Sequence, residues 1–456
     1  MAYGRRHLLD QNLINNNKYT MRTSVIWFRN DLRLHDNITL SRAINESDQV
    51  IPVYVFDPRH YRTSTYGFKK TGPFRTQFLN ESVSDLHNNL VAKGSGLIVL
   101  QGIAEEVLPG LCMQYGAEAL YYSKEVAPDE VREERTLAQQ LYECGVEVIA
   151  CCNDTLIDRP QLPFSVQAMP DMFTAFRWKV EETACVFGKP LPAPASVPTP
   201  LLANKGQLPS VAALCGQTPP ADPRNAFAFA GGETVALARL QYYLWEGGHA
   251  ATYFQTRNQL TGANGSTRLS PWLAAGCISP RTIFSEVKKF EEQHTKNKST
   301  YWIGFELLWR DFFRLNMEKY KCELFFTRGP KRRYIRYSGS NDAFLKWCRG
   351  QTGVPLIDAC MHELNSTGYL SNRGRQVAAS FLVNDLNVNW LIGAAYFESL
   401  LIDYDVCSNY GNWAYIAGVG NDPRDNRYFN IDKQAAMYDA DGTYRQLWGK
   451  QHVHET

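Results

Sequence analysis

Residues 24–28 read SVIWF, and four more runs of the same kind follow before residue 151: VIPVYV (50–55), GLIVL (96–100), EALYY (118–122) and VEVIA (146–150). Longer amphipathic segments separate them. Short β-branched and aromatic runs that alternate with helix-length stretches predict a parallel sheet packed between helices, an α/β domain of Rossmann-like type. No GxGxxG follows the first run, so the usual dinucleotide fingerprint is missing. This domain is expected to occupy 24–158.

Downstream, 159–231 reads as an inter-domain linker. Nine of the chain's 22 prolines fall between Lys189 and Pro223, too many for a helix or a central strand. From Gly232 the periodicity is helical almost to Asp403, so 232–456 is expected to be all-α. No internal repeat is present. Upstream, residues 1–23 form an extension. Its Asn-rich start, MAYGRRHLLDQNLINNNKYTM (1–21), lacks the apolar core of a secretory signal and reads as disordered, or as lying ahead of a true start at Met21. A transit peptide is the alternative.

At 456 residues the chain has room for two or three domains of ~150 residues. No apolar run nears the ~20 residues needed to cross a bilayer, which predicts a soluble protein with no membrane partner. The 11 cysteines are scattered without a CxxC pair, the pattern of reduced, buried thiols inside a cell and not of disulfides or a zinc site. A net charge of +2 leaves room for a local basic patch.

Five stretches of the helical half carry chemistry. GANGSTRLSPWLAAGCISPR (262–281) sets Ser266, Thr267 and Arg268 in a Gly-rich turn, then offers Ser270-Pro271 and Ser279-Pro280 as helix starts. Amides and hydroxyls at such a start suit a phosphate; plain capping is the simpler reading. WIGFELLWRDFFR (302–314) places Glu306, Trp309, Arg310 and Phe313 on one helical face, either as a site or as a core Trp beside a Glu306–Arg310 surface pair. In TGYLSNRGRQVAASFLVNDLNVNW (367–390), Asn372, Arg373, Arg375 and Gln376 crowd the start of a helix. Cations oppose the dipole there, so these arginines are expected to answer to acids such as Asp403 and Asp405.

LLIDYDVCSNYGNWAYIAGVGNDPR (400–424) combines Asp403, Asp405, Asn409, Trp413 and Tyr415. A metal would want histidines or more oxygens, and no His lies within thirty residues of Asp403. A hydrolytic pair needs carboxylates facing each other across a cleft. Two acids at i and i+2 beside an amide and aromatic faces better fit a buried flat cofactor. Finally, RGPKRRYIRY (328–337) holds five basic residues and no acid among its tyrosines. It is either a solvated loop or a path for phosphates and bases.

Together with VIWFRNDLRLHDN (25–37), these motifs resemble the photolyase/cryptochrome flavoproteins from about Ser24 to the C-terminal end. SNRGRQ and YDVCSNYGNWAYIAGVGND look like the DASH cryptochromes. The (6-4) repair enzymes carry pocket histidines where this chain has Asn372 and Gln376.

The resemblance implies a U-shaped FAD with its phosphates near Ser266, Thr267, Arg268, Leu269 and Ser270, close to Tyr253. It implies Arg375 paired with Asp403 beside the isoalloxazine, Asp405 at its pyrimidine edge and Asn409 at its central ring. Glu306, Trp309, Asn372, Gln376 and Tyr415 would line the substrate pocket, and Glu125 would contact a folate antenna, methenyltetrahydrofolate. Of the family's relay of three tryptophans, Trp413 and Trp390 match the inner two. The outermost position holds Tyr337, with Tyr334 nearby, which departs from the family and bears on photoreduction.

The implied activity is that of a deoxyribodipyrimidine photolyase-type lyase. A monomer would split cyclobutane pyrimidine dimers in single-stranded or loop-containing DNA under blue light. The alternative is a blue-light photoreceptor signalling through its flavin by DNA or protein binding. The compartment would be the cytoplasm in a bacterium, or a chloroplast or mitochondrion in a eukaryote.

Overall fold

The computed structural model describes residues 21–183, 187–424 and 427–449; the expectation for residues 1–20 lies outside them. Five strands form one parallel sheet: β1 (Thr23–Phe28), β2 (Gln49–Phe56), β3 (Ile98–Gln101), β4 (Ala119–Ser123) and β5 (Glu147–Cys151), in the order β3-β2-β1-β4-β5. Every residue of β1 is buried, as expected for a central parallel strand covered on both faces. Val25 pairs with Ile51 on one side and Leu120 on the other. The chain winds outward from β1 through β2 to β3, then returns to β4. The strand order therefore reverses between β1 and β4, and a crevice at their carboxyl ends is where such sheets take ligands.

Buried polar contacts fasten the helices to this sheet. Arg33 is 1% exposed and donates to the carbonyl of Gly276 at 2.9 Å, and Arg281 pairs with Asp36 at 2.8 Å. Asp311, on the helix Lys298–Tyr320, accepts the backbone N–H groups of Leu156 and Ile157 at 3.0 and 2.9 Å. One short helix, Val211–Cys215, interrupts the Pro-rich stretch that was read as helix-free. Its stretch is free of proline between Pro209 and Pro219, and the Ser210 hydroxyl caps Ala213 N–H at 3.1 Å.

Close helix crossings shape the centre of the helical half. A Cβ on Gly411 would lie 2.3 Å from the Phe313 ring, and one on Gly393 would lie 2.5 Å from the Trp413 indole. Glycine at both positions lets the helices Trp390–Leu400 and Val406–Ile416 seat Asn409 and Trp413 deep in the core.

The C-terminal helix Thr443–Trp448 docks through Tyr444, whose hydroxyl lies 2.5 Å from Glu363. Burial pushes the Glu363 carboxyl up to about 7 from 4.5. Ionising it in the fold is therefore costly. That cost is absent below pH ~4.5, grows as pH rises toward 7 and is complete above it, at roughly 3 kcal/mol. Glu363→Gln is expected to unfold at higher urea than the parent at pH 8 and to lose that advantage at pH 4.5. Equal midpoints at pH 8 would contradict it.

Candidate cofactor and substrate site

The 262–268 turn is shaped by a residue that sequence reasoning passed over. Arg239, in the helix Glu233–Gln241, donates to the Thr267 carbonyl (3.1 Å), the Asn264 side chain (3.0 Å) and the Ala263 carbonyl (3.1 Å). The Thr256 hydroxyl holds the Gly265 carbonyl at 2.8 Å. Arg268 adopts φ 55° and turns its buried side chain back to the Gly262 carbonyl at 2.6 Å, 4.9 Å over the Tyr369 ring. Its charge is spent shaping the loop.

Ser270 does not cap the next helix as its sequence suggested. Leu269 already has helical dihedrals (φ −80°, ψ −3°), so Ser270 is the first residue of a single turn, Ser270–Ala274, without a side-chain cap. Its side chain stays exposed and Ser266 and Thr267 are half-buried, while Leu269 and Tyr253 are buried. Ser279 does cap its helix, accepting Thr282 N–H at 3.0 Å.

The second half of the site is built on Arg375 and Asp403. Ser371 caps the helix Asn372–Ser380 through Gly374 N–H at 3.2 Å, which puts Arg375 on its first turn. Arg375 donates to the Leu370 carbonyl at 2.7 Å and to Asp403 Oδ2 at 2.8 Å. The Asp403 side chain is 2% exposed, and its Oδ1 is buried with no partner among the described residues. A buried carboxylate oxygen rarely stays unmatched.

Nearby, Asn409 donates its amide to the Ala394 carbonyl at 3.1 Å, which fixes the side chain and leaves its Oδ1 for another donor. Two acceptors aimed inward fit the ring N–H groups of an isoalloxazine. Asp405, by contrast, caps Val406–Ile416 through Ser408 N–H at 2.6 Å. Neither aspartate is on the helix, so the i, i+2 argument of the sequence describes a turn and a cap. Among the described residues Arg373 answers to no acid: it meets the amide oxygens of Asn258 (3.1 Å) and Gln434 (3.4 Å) and lies 4.7 Å over Tyr438.

The Lys298–Tyr320 helix faces this region with mixed roles. Glu306 pairs with Arg257, not with Arg310, and accepts the Trp302 indole N–H at 3.1 Å. Arg310 instead reaches the carbonyl of Asp154, because a turn further along the helix faces the sheet domain. Burial raises the Glu306 carboxyl, partly offset by Arg257.

Trp309 stands edge-on to Tyr415 at 5.8 Å and 84°, but one of its faces is covered by Phe173, stacked at 3.8 Å and 12°. Asn372 is exposed and Gln376 half-buried, one turn apart. The Tyr415 hydroxyl accepts from Arg427 at 2.6 Å, Arg427 binds Asp422 at 2.7 Å, and Lys331 of the basic run donates to the Asp422 carbonyl at 2.6 Å. This chain of contacts braces the 328–337 loop against the pocket wall. Tyr334 in that loop is 87% exposed.

Trp413 is buried edge-on to Phe397 at 5.1 Å and to Trp347 at 6.4 Å. Trp390 is fully buried and donates to the Thr327 carbonyl at 3.1 Å. Burial raises the Tyr337 phenol, partly offset by the Arg333 charge and then by the Trp390 backbone N–H. The phenol oxygen makes no full hydrogen bond among the described residues.

Glu125 lies at a separate place, the carboxyl-end crevice between β1 and β4. There a cavity of about 1020 Å³ is lined by Asn30, Glu125, Arg310, Arg314, Tyr404 and Asp405 among others, and not by residues 266–270, Arg375 or Asp403. Glu125 accepts from Asn30 at 3.0 Å and Arg314 at 3.0 Å. Burial alone would push its carboxyl up, but Arg314 and then Arg29 hold it below the usual range. Asp57, Glu105 and Glu133 also converge on this crevice, where Arg59 ties all three at 2.6, 2.7 and 3.5 Å. The described cysteines are all unpaired; Cys144 and Cys322 are exposed, contrary to the expectation of buried thiols.

Comparison with known proteins agrees with this architecture. Residues 24–195 match the DNA photolyase family model and residues 302–452 match that of the FAD binding domain of DNA photolyase. Parallel sheet, helical half and cradle thus define a photolyase-type flavoprotein fold. A cryptochrome DASH from Gloeobacter violaceus is 46% identical, over 94% of this chain and 85% of its own length. The solved Synechocystis sp. cryptochrome superposes with a TM-score of 0.91 at 45% identity, over 94% of this chain and 88% of that one. A class III photolyase from Agrobacterium tumefaciens reaches 0.81 at 27% identity, over 96% and 88%. The chain belongs to the cryptochrome DASH branch of the photolyase/cryptochrome family, and it carries that family's FAD-binding domain. No described helix is long and apolar enough to cross a membrane.

Proposed function

We propose that this protein is a lyase that uses blue light to split cyclobutane pyrimidine dimers, acting best on single-stranded or loop-containing DNA. The observation that carries this reading is the pocket in which Glu306, held by Arg257 and Trp302, sits on the same helix as Trp309, whose edge meets Tyr415. The exposed amide of Asn372 and that of Gln376 add donors and acceptors for the polar edges of a splayed pyrimidine pair. Among the described residues no histidine joins them to act as the proton donor expected for (6-4) lesions.

FAD bound in its reduced form supplies the electron on excitation, and the protein supplies position and electrostatics. In this reading Asp403 and Asn409 orient the ring. Ser266, Thr267, Leu269 and Ser270, with Tyr253, hold the phosphates. Glu306, held by Arg257, would accept a base N–H. The crevice at Glu125 would take the folate antenna, whose polar ring edge suits a carboxylate kept ionised by Arg314. The exposed 328–337 run would follow strand phosphates. Flipping a damaged base costs less than flipping an intact one, and a single strand avoids most of the cost.

The test is illumination of dimer-containing oligonucleotides with chemically reduced protein, followed by chromatography of the products. Reversal should be stronger on single strands than on duplex, and Glu306→Ala should cut it by roughly tenfold while flavin stays bound, the loss of one charge-assisted hydrogen bond of ~1.5 kcal/mol. No reversal on either form would leave the photoreceptor reading in its place.

A further inference from the structure

Beside Glu306 the pocket rim continues into a second surface that the lesion reading does not use. Trp302, whose N–H holds Glu306, is stacked on Phe305 at 4.3 Å and 28°. Phe305 in turn lies under the Arg177 guanidinium at 5.6 Å. Arg177 comes from the helix Phe173–Glu182 and donates to the Tyr301 hydroxyl at 2.7 Å, while Tyr301 bonds Glu181 at 2.6 Å. At the other end Lys298 sits 3.8 Å over Phe254.

Rings of this shelf reach solvent: Tyr301 is 40% exposed, and Phe254, Trp302 and Phe305 beside it are half-buried. Aromatic rings gathered in one exposed patch mark an interaction site. Three cations border these rings, Arg177 at Phe305, Lys298 at Phe254 and Arg257 at Trp302, with Glu181 beside Arg177 and Glu306 beside Arg257.

We propose that this shelf is a stacking platform for the unpaired bases next to the lesion. Flat π-faces interleaved with cations match a strand that offers base faces and phosphates together. Paired bases keep their faces inside the duplex and have nothing to stack here. The shelf would therefore give the pocket its bias toward single strands, independently of the cost of flipping. The proposal rests on reading the Glu306 pocket as one for nucleic acid.

The experiment measures dark binding of three probes to the flavin-loaded protein: undamaged oligothymidylate, the same strand with one dimer, and the dimer dinucleotide alone. Tyr301→Ala should weaken both strands roughly tenfold, as expected for losing one stacked base. The dinucleotide has no neighbouring bases, so its affinity should change less than about twofold. Tyr301→Phe keeps the ring and loses both hydroxyl bonds, so it should bind as the parent does. Unchanged binding of oligothymidylate, or equal loss on all three probes, would overturn the platform. Shelf-dependent binding of oligothymidylate by a protein that reverses no dimer would sustain the platform while removing the repair reading.

Discussion

Asp403→Ala should yield a folded protein that purifies almost free of flavin. The substitution strands the Arg375 guanidinium, which donates to Asp403 at 2.8 Å, and removes the buried Oδ1 that has no partner among the described residues. Losing a hydrogen bond to a charged group costs about 1.5–3 kcal/mol, which as lost flavin affinity is roughly ten- to a hundredfold. Asp403→Asn keeps the shape and one acceptor and should lose less. The readout is flavin absorbance relative to protein absorbance after gel filtration. Full flavin content in Asp403→Ala would show that this pair has no part in holding the cofactor.

Trp413→Phe should block photoreduction of the bound flavin by an external reductant. Trp413 is buried between the Phe397 edge and the Gly393 backbone, so a smaller aromatic ring fits with little disturbance. A phenyl ring is far harder to oxidise than an indole, and each ~1.36 kcal/mol added to a barrier slows the step tenfold, so a loss on the order of tenfold or more is expected. Chemical reduction should remain complete, which separates relay loss from cofactor loss. Tyr337 adds a second readout. A phenol has a pKa of ~10 but its radical cation is far more acidic, so Tyr337 as the outermost donor would lose its proton to water on oxidation and leave a neutral tyrosyl signal in transient absorption. Tryptophan radicals alone at every delay would remove Tyr337 from the relay.

The amino-acid sequence determined the sheet almost completely. β-branched and aromatic runs separated by helix-length segments leave few alternatives, and the five strands lie within two residues of the runs that announced them. It also marked candidates for chemistry, because Asn409, Glu306 and Arg375 are polar groups on helices with apolar faces and Asp403 follows an apolar run. Local rules failed where a residue's partner comes from far along the chain. Helical spacing offers Arg310 as one possible partner for Glu306, yet its partner is Arg257, 49 positions away. Helix spacing shows which residues share a face but cannot say which other element lies against it.

Other choices belonged to the tertiary structure alone. Arg239 shapes the 262–268 turn from a helix whose sequence looks ordinary, and Phe173 covers one face of Trp309 from beyond the Pro-rich stretch. Asp403 and Asp405, two residues apart, are parted: one is buried against Arg375, while the other caps a helix and lines the crevice at the sheet. Burial and long-range packing set the partner and the charge state of each group, and both depend on how helices cross. In this protein that crossing was fixed by close contacts such as Gly411 on Phe313, which no local pattern records.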